Sequence, residues 1–93
     1  MISFTKALAR ETARSGVTAN AAWPGATETP LPDELVSKGE RGARAIESMR
    51  RGVPMRRLGK PEEVGAAVAF LASEQTGFIS GQTLSVSGGL TMA

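Results

Sequence analysis

The chain has 93 residues, 41% of them hydrophobic and 22% charged, with a formal net charge of +2, so it suits one small globular domain and is too short for a large enzyme core. Cysteine, histidine and tyrosine are all absent, which excludes disulfide frameworks, Cys/His zinc sites, Ser–His and Cys–His nucleophile pairs and any tyrosine acid or base. A charge this close to balance gives little support to nucleic-acid binding, and no apolar run approaches the roughly 20 residues that span a bilayer. Lys6, Arg10 and Glu11 interrupt the start of the chain, leaving no signal-peptide core. A soluble cytoplasmic protein is expected.

Residues 1–15 read as an amphipathic helix, with Ile2, Phe4, Ala7 and Leu8 near helical spacing and Lys6, Arg10 and Arg14 away from that stripe. Gly16 is placed to cap it. The stripe is already running at Met1 with no N-cap before it, as in a helix that is cut rather than started. Residues 17–23 are short and mostly apolar, and Gly16 and Pro24-Gly25 bound them, which suits a strand buried on both faces of a parallel sheet. Trp23, at its end, is expected in the core, with a pocket wall as the alternative. Asn20 is read as a structural hydrogen-bonding residue. Pro24-Gly25 signals a tight turn.

From 26 to 59, repeated Pro and Gly break the pattern, and two short helices fit, about Pro32–Ser37 and Ala43–Arg51, the second with Ala45, Ile46 and Met49 on one side. Glycines between weakly apolar helices suit a mobile lid. Residues 61–72 form the clearest helix: Pro61 at its first position, Glu62 and Glu63 in its first turn, then Val64, Ala67, Val68 and Leu71 at i, i+3, i+4, i+7. After a polar break at Ser73–Thr76, residues 82–87 read as a second strand closed by Gly88-Gly89. Strand, crossover helix and strand make a parallel, right-handed βαβ unit in a single partial domain spanning 1–93.

Several stretches carry a resemblance: Phe4-Thr-Lys-Ala-Leu-Ala-Arg-Glu11, Val17-Thr-Ala-Asn20, Pro24-Gly25 with Thr29, Arg57-Leu-Gly-Lys-Pro-Glu-Glu-Val64, Ala69-Phe-Leu-Ala-Ser73 and Gly77-Phe-Ile-Ser-Gly-Gln82 with Gly88-Gly89. In this order, over nearly the whole chain, they resemble the C-terminal segment of the short-chain dehydrogenase/reductases, Rossmann-type NAD(P)-dependent oxidoreductases. The closing run from Gly77 to Met92 looks most like the 2-hydroxycyclohexanecarboxyl-CoA dehydrogenases of that family. The resemblance implies an α/β fold, a truncated Rossmann-type βαβ unit with a helical lid, completed by self-association. It also implies that the chain begins after the family's active site, because the catalytic Ser, the Tyr-x-x-x-Lys pair and the glycine-rich pyrophosphate turn have no counterpart here. No catalytic and no metal-binding residue is therefore assigned. Lys6 matches helix surface in the family.

What the resemblance carries over is the nicotinamide side of an NAD or NADP site: Pro24 and Gly25 as the turn, the backbone of Ala26 and Thr27 for the carboxamide, and the Thr29 hydroxyl toward the cofactor. Read without the family, the same residues are a strand end and a loop. The implied reaction is hydride transfer with a secondary alcohol or ketone, CoA thioesters among the candidates, in a homo-oligomer. Ser87 stands where many members carry Asp. The basic stretch Arg50, Arg51, Arg56, Arg57 and Lys60 is a solvated face on one reading and an anion site for CoA or nucleic-acid phosphates on the other; no aromatic-rich surface accompanies it. The competing function is a stand-alone, non-catalytic module for self-association or anion binding.

Overall fold

The computed structural model describes residues 2–28 and 39–91; Thr29 and the helix expected at 32–37 lie outside the described residues. Helix α1 (Ile2–Thr12) runs into a 3-10 turn at Ala13–Ser15. Strand β1 (Ala21–Pro24), helix α2 (Glu40–Gly52), helix α3 (Pro61–Leu71), a second 3-10 turn at Glu74–Thr76 and strand β2 (Thr83–Val86) follow. The strands are parallel, in register from Ala21 opposite Thr83 to Pro24 opposite Val86. A parallel pair needs a long crossover, and α3 is the crossover helix that packs on both strands.

Local chemistry sets the helix ends. Gly16 adopts φ 73° and its N–H reaches Ala13 O, a left-handed stop that a residue with a Cβ makes only with strain. Pro61 opens α3 with φ already suited to the helix, and the Glu63 carboxylate accepts the Lys60 N–H at 3.1 Å. Thr76, 2% exposed, closes α3 from beyond its end: its hydroxyl lies 3.0–3.2 Å from the carbonyls of Phe70, Leu71 and Ser73. The polar break expected there is thus the helix stop itself.

The first strand is shorter and later than the apolar run 17–23 suggests. Residues 17–20 lie beside a segment in which Gly81 has φ 76°, so no regular ladder forms. Beside the backbone bonds Gly81 N to Ala19 O and Ala21 N to Gln82 O, side chains bridge the gap: Ala19 N donates to Ser80 Oγ, Asn20 Nδ2 to Ile79 O, and Gln82 N to Asn20 Oδ1. The structural role expected of Asn20 is what the geometry shows. The second strand loses Gln82 and Ser87 from the expected 82–87. Ser87 leaves the ladder because its hydroxyl exchanges bonds with the backbone of Thr91, donating to its carbonyl at 3.0 Å and accepting its N–H at 3.2 Å.

Packing is sparse. Ala9 and Val53 are the buried apolar side chains among the described residues. The face of α1 that turns to its own chain is not the apolar stripe but Thr5 and Ala9, small residues that let the helix approach Gly81, whose added Cβ would lie 3.5 Å from that of Ala9. Phe4 is 69% exposed, and Ile2, Ala7 and Leu8 are exposed with it. Trp23, expected in the core, is 44% exposed. Ala22 lies with Val68 and Leu71 of α3, so its neighbour Trp23 points to the opposite, uncovered face. The radius of gyration, 16.7 Å, exceeds the roughly 12 Å of a compact chain this long.

Candidate functional site

The carboxyl ends of parallel strands are where open α/β sheets hold ligands, and here both strands end at one constellation. Gly25 continues β1 by donating its N–H to Val86 O at 3.0 Å. It also passes against Ser87 so closely that a Cβ on it would stand 2.8 Å from Ser87 Cβ and 2.9 Å from Ser87 Cα. Only glycine fits there.

Beyond this crossing the chain pairs with the segment before α3. Gly59 N donates to Ala26 O at 2.9 Å and Glu28 N donates to Gly59 O at 2.7 Å, a parallel bridge between Thr27 and Gly59. In such a bridge the flanking residues supply both bonds, so the N–H and C=O of Thr27 face away from Gly59. The Thr27 hydroxyl bonds back to Gly25 O at 3.0 Å, stiffening the bend. Of the residues read as cofactor-binding, Pro24, Gly25, Ala26 and Thr27 therefore form one ordered segment, but not the tight turn expected at Pro24-Gly25: Pro24 is the last residue of β1 and Gly25, without positive φ, extends its ladder, so the chain bends only at Ala26; Thr29 lies outside the described residues. Gly59, which fixes Thr27, was not singled out from the sequence. Its signal was only its place in the Arg57-Leu-Gly-Lys-Pro stretch.

A cleft of about 370 Å³ opens beside this segment, between Ala26 and Gly59 on one side and Ser85 to Gly89 on the other, with Arg57, Lys60 and Glu63 at its wall. Arg57 and Glu63 meet through two parallel bonds of 2.7 and 2.9 Å, the forked geometry that guanidinium and carboxylate favour. That pairing, reinforced by the Lys60 N–H, lowers the Glu63 carboxyl from 4.5 to about 2; in return it raises the Arg57 guanidinium. Glu63 thus neutralises Arg57, and Lys60 leaves the wall with one net positive charge.

The segment leading out of α2 is pinned to the same place. Val53 is 2% exposed, Met55 N donates to Gly88 O at 3.1 Å, and Gly88, at φ 62°, would place a Cβ 2.8 Å from Val53 Cγ1. The double glycine is a bed for Val53–Met55. Arg56 follows at φ 61°, a conformation that costs a non-glycine residue about 1–2 kcal/mol. Hydrogen bonds offset it: Arg56 N to Val53 O, and Arg50 Nη1 to Arg56 O.

Most of the basic stretch is committed to such contacts. Arg50 pairs with Glu47, which also takes Arg51, and the bond from Arg50 lowers the Glu47 carboxyl. Arg56 Nη1 donates to Arg51 O, and Arg57 holds Glu63. These exposed pairs are worth little energetically, but they engage Arg50, Arg51 and Arg57 and leave Lys60 as the cation of the stretch that lines the cleft without a carboxylate of its own among the described residues. Among the described residues no helix is long and apolar enough to cross a membrane.

Residues 1–91 match the protein family described as Enoyl-(Acyl carrier protein) reductase. Nodulation protein G of Azospirillum brasilense is 48% identical over 90 residues, covering 97% of this chain and 34% of its own length. The 3-oxoacyl-[acyl-carrier-protein] reductase FabG of Vibrio cholerae is 45% identical over 92 residues, 99% of this chain and 35% of that protein. Among solved structures, YwfH, an NADPH-dependent reductase involved in bacilysin biosynthesis, superimposes with a TM-score of 0.83 at 33% identity, covering 99% of this chain and 37% of that one. The chain spans about a third of the length of the curated relatives it matches. With the two-stranded parallel sheet, its crossover helix and the glycine-dependent segment, these likenesses place the chain in the short-chain dehydrogenase/reductase family, in the group described as enoyl-(acyl carrier protein) reductase.

Proposed function

We propose that this chain is the C-terminal part of a cytoplasmic NAD(P)-dependent reductase that transfers hydride between the nicotinamide and a secondary alcohol or ketone, a 3-oxoacyl thioester being the substrate class its named relatives favour. The closing run's resemblance to 2-hydroxycyclohexanecarboxyl-CoA dehydrogenases points to the same thioester chemistry. In this reading Pro24, Gly25, Ala26, Thr27 and Thr29 form the nicotinamide wall, α2 belongs to the substrate lid, and the acid and base lie on other parts of the enzyme. The cofactor's dihydropyridine would supply the hydride. This chain's residues would orient the ring and shield one side of it from water.

The observation that carries the proposal is Thr27. The bridge to Gly59 leaves its N–H and C=O facing outward together, a donor and an acceptor matched to a neutral carboxamide, which orients the ring without adding charge beside the hydride. Affinity is expected to be weak, because the pyrophosphate-binding turn that anchors such cofactors is not in this sequence. The test is a titration with NADH and NADPH followed at individual backbone amides by NMR. The Thr27 amide is expected to shift progressively at millimolar nucleotide. Low-micromolar affinity, or shifts that bypass residues 24–28, would overturn the assignment.

The alternative of a non-catalytic self-association module has one observation in its favour, the exposed Phe4 and Leu8 stripe. Self-association and the cofactor wall are compatible, and a homo-oligomer belongs to the proposal. The same titration separates them, since a module without a cofactor role leaves Thr27 unmoved.

A further inference from the structure

The Arg50–Lys60 stretch is the densest run of positive charge in the sequence, yet its arginines are largely engaged by Glu47, Glu63 and backbone carbonyls. The fold gathers a different set of cations. Lys6 and Arg10, one helical turn apart on α1, line a shallow cleft of about 420 Å³ whose opposite wall is Ser80, Gly81 and Gln82. Ala9 and Gly81 meet at its floor. The two walls are some seventy residues apart in sequence and meet only because α1 packs against the segment preceding β2.

The chemistry of this cleft is one-sided. No carboxylate lines it, and among the described residues neither Lys6 nor Arg10 has an ion-pair partner. Like charges at i and i+4 repel, so an anion between them relieves a repulsion that the protein leaves unbalanced. Neutral donors complete the set. Ser80 Oγ accepts the Ala19 N–H, which leaves its own proton free to donate, and Gln82 lines the same cleft. Lys6 also borders an adjoining hollow of about 250 Å³ with Gln82 and Thr83, so the positive wall has room beyond a single ion.

We propose that the cleft between α1 and Ser80–Gln82 is an anion-binding site for a phosphoryl group of a small molecule, with pyrophosphate its simplest occupant. The two cations stand about 5–6 Å apart at their Cβ atoms and border the same cleft, a separation that a pair of linked phosphoryl groups spans. Arg10 supplies the forked donor and Lys6 the mobile point charge. The site lies at the amino-terminal end of the sheet, since Gln82 precedes β2. The Pro24–Thr27 segment closes β1, so the proposal does not depend on the nicotinamide reading.

Equilibrium dialysis of the full chain against radiolabelled pyrophosphate, at constant ionic strength, tests it. One saturable site per chain is expected, weakened roughly tenfold or more by Lys6→Gln with Arg10→Gln, and weakened likewise by Gln82→Glu, which puts a carboxylate in the cleft. Arg51→Gln is expected to change nothing. A parallel titration with ADP separates the sources: tighter binding than pyrophosphate indicates a nucleotide, equal binding a bare phosphoryl anion. Circular dichroism checks that each variant is folded. Binding that does not saturate, that survives both cleft variants, or that falls with Arg51→Gln overturns the proposal.

Discussion

At the scale of single residues, the site is governed by close approaches that only small or paired groups allow. Gly25→Ala would drive a Cβ to 2.8–2.9 Å from the Cβ and Cα of Ser87, a contact with backbone that no rotamer relieves. The expected cost is about 1–3 kcal/mol, read as a lowered denaturant midpoint, whereas Gly65→Ala, with nothing within 4 Å of the added carbon, is expected to be neutral or stabilising. Glu63 makes a second, electrostatic prediction. Its carboxyl is held at about 2 by Arg57 and the Lys60 N–H, against an ordinary 4.5. A group lowered on folding contributes stability that is fully present above the unfolded value and lost as pH falls toward the folded one. The contribution of Glu63 should therefore fade between about pH 4.5 and 2. Carbon-detected NMR should place the Glu63 midpoint near 2, and Arg57→Ala should bring it back toward 4.5; a wild-type midpoint already at 4.5 would show that the pair does not form in solution.

Among the elements, the helices were legible and the strand ends were not, for a physical reason. α3 announces itself through Pro61, the two following glutamates and the apolar spacing to Leu71, all local signals. The helix expected at 43–51 proved to be Glu40–Gly52, longer at its start because Gly42 does not break it and Ala43 N already bonds Gly39 O. The start of β1, in contrast, is decided by Ser80, Gly81 and Gln82, which lie far along the chain from Asn20, and nothing in the local pattern of 17–23 encodes that. The same holds at the candidate site. Pro24-Gly25 marks the end of β1 but not the tight turn its residues suggest, because Gly25 is kept in the ladder by Val86, and Gly59 as the partner of Thr27 depends on tertiary pairing. Nor could periodicity tell that α1 would set Thr5 and Ala9 inward and its apolar stripe outward. Asn20 is the element-scale test. Asn20→Ala removes both side-chain bonds that tie the starts of the two strands, an expected loss of about 1–3 kcal/mol, with faster hydrogen exchange at the Gln82 amide. Unchanged exchange there would mean that the strands hold register without it.

For the molecule as a whole, the accessible surface is 7031 Å², against roughly 5,100 Å² for a compact monomer of 9.7 kDa. The excess is about twice the roughly 800 Å² that one partner buries in a standard protein–protein interface. It includes Phe4, Phe70 and Val68, each more than half exposed, and the uncovered face behind Trp23. Parallel sheets are covered on both faces, and a two-stranded sheet is marginal alone, so the chain is expected to find cover from another polypeptide surface. By itself it should self-associate, with light scattering after size exclusion giving a mass above monomer that falls for Phe4→Ser with Leu8→Ser. A monomer across a wide concentration range would refute this. The most direct test of the central claim, that this chain supplies a nicotinamide wall to a reaction whose proton-transferring groups lie elsewhere, is a hydride-transfer assay. The near-ultraviolet absorbance of NADPH is followed with a 3-oxoacyl thioester, first with this chain alone and then after co-refolding it with the remaining portion of the Vibrio cholerae FabG relative. The account predicts no turnover above the buffer blank for the chain alone and turnover in the assembled mixture. Turnover by the chain alone, or an assembled mixture whose rate is indifferent to Thr27→Pro, which deletes the outward N–H, would contradict it.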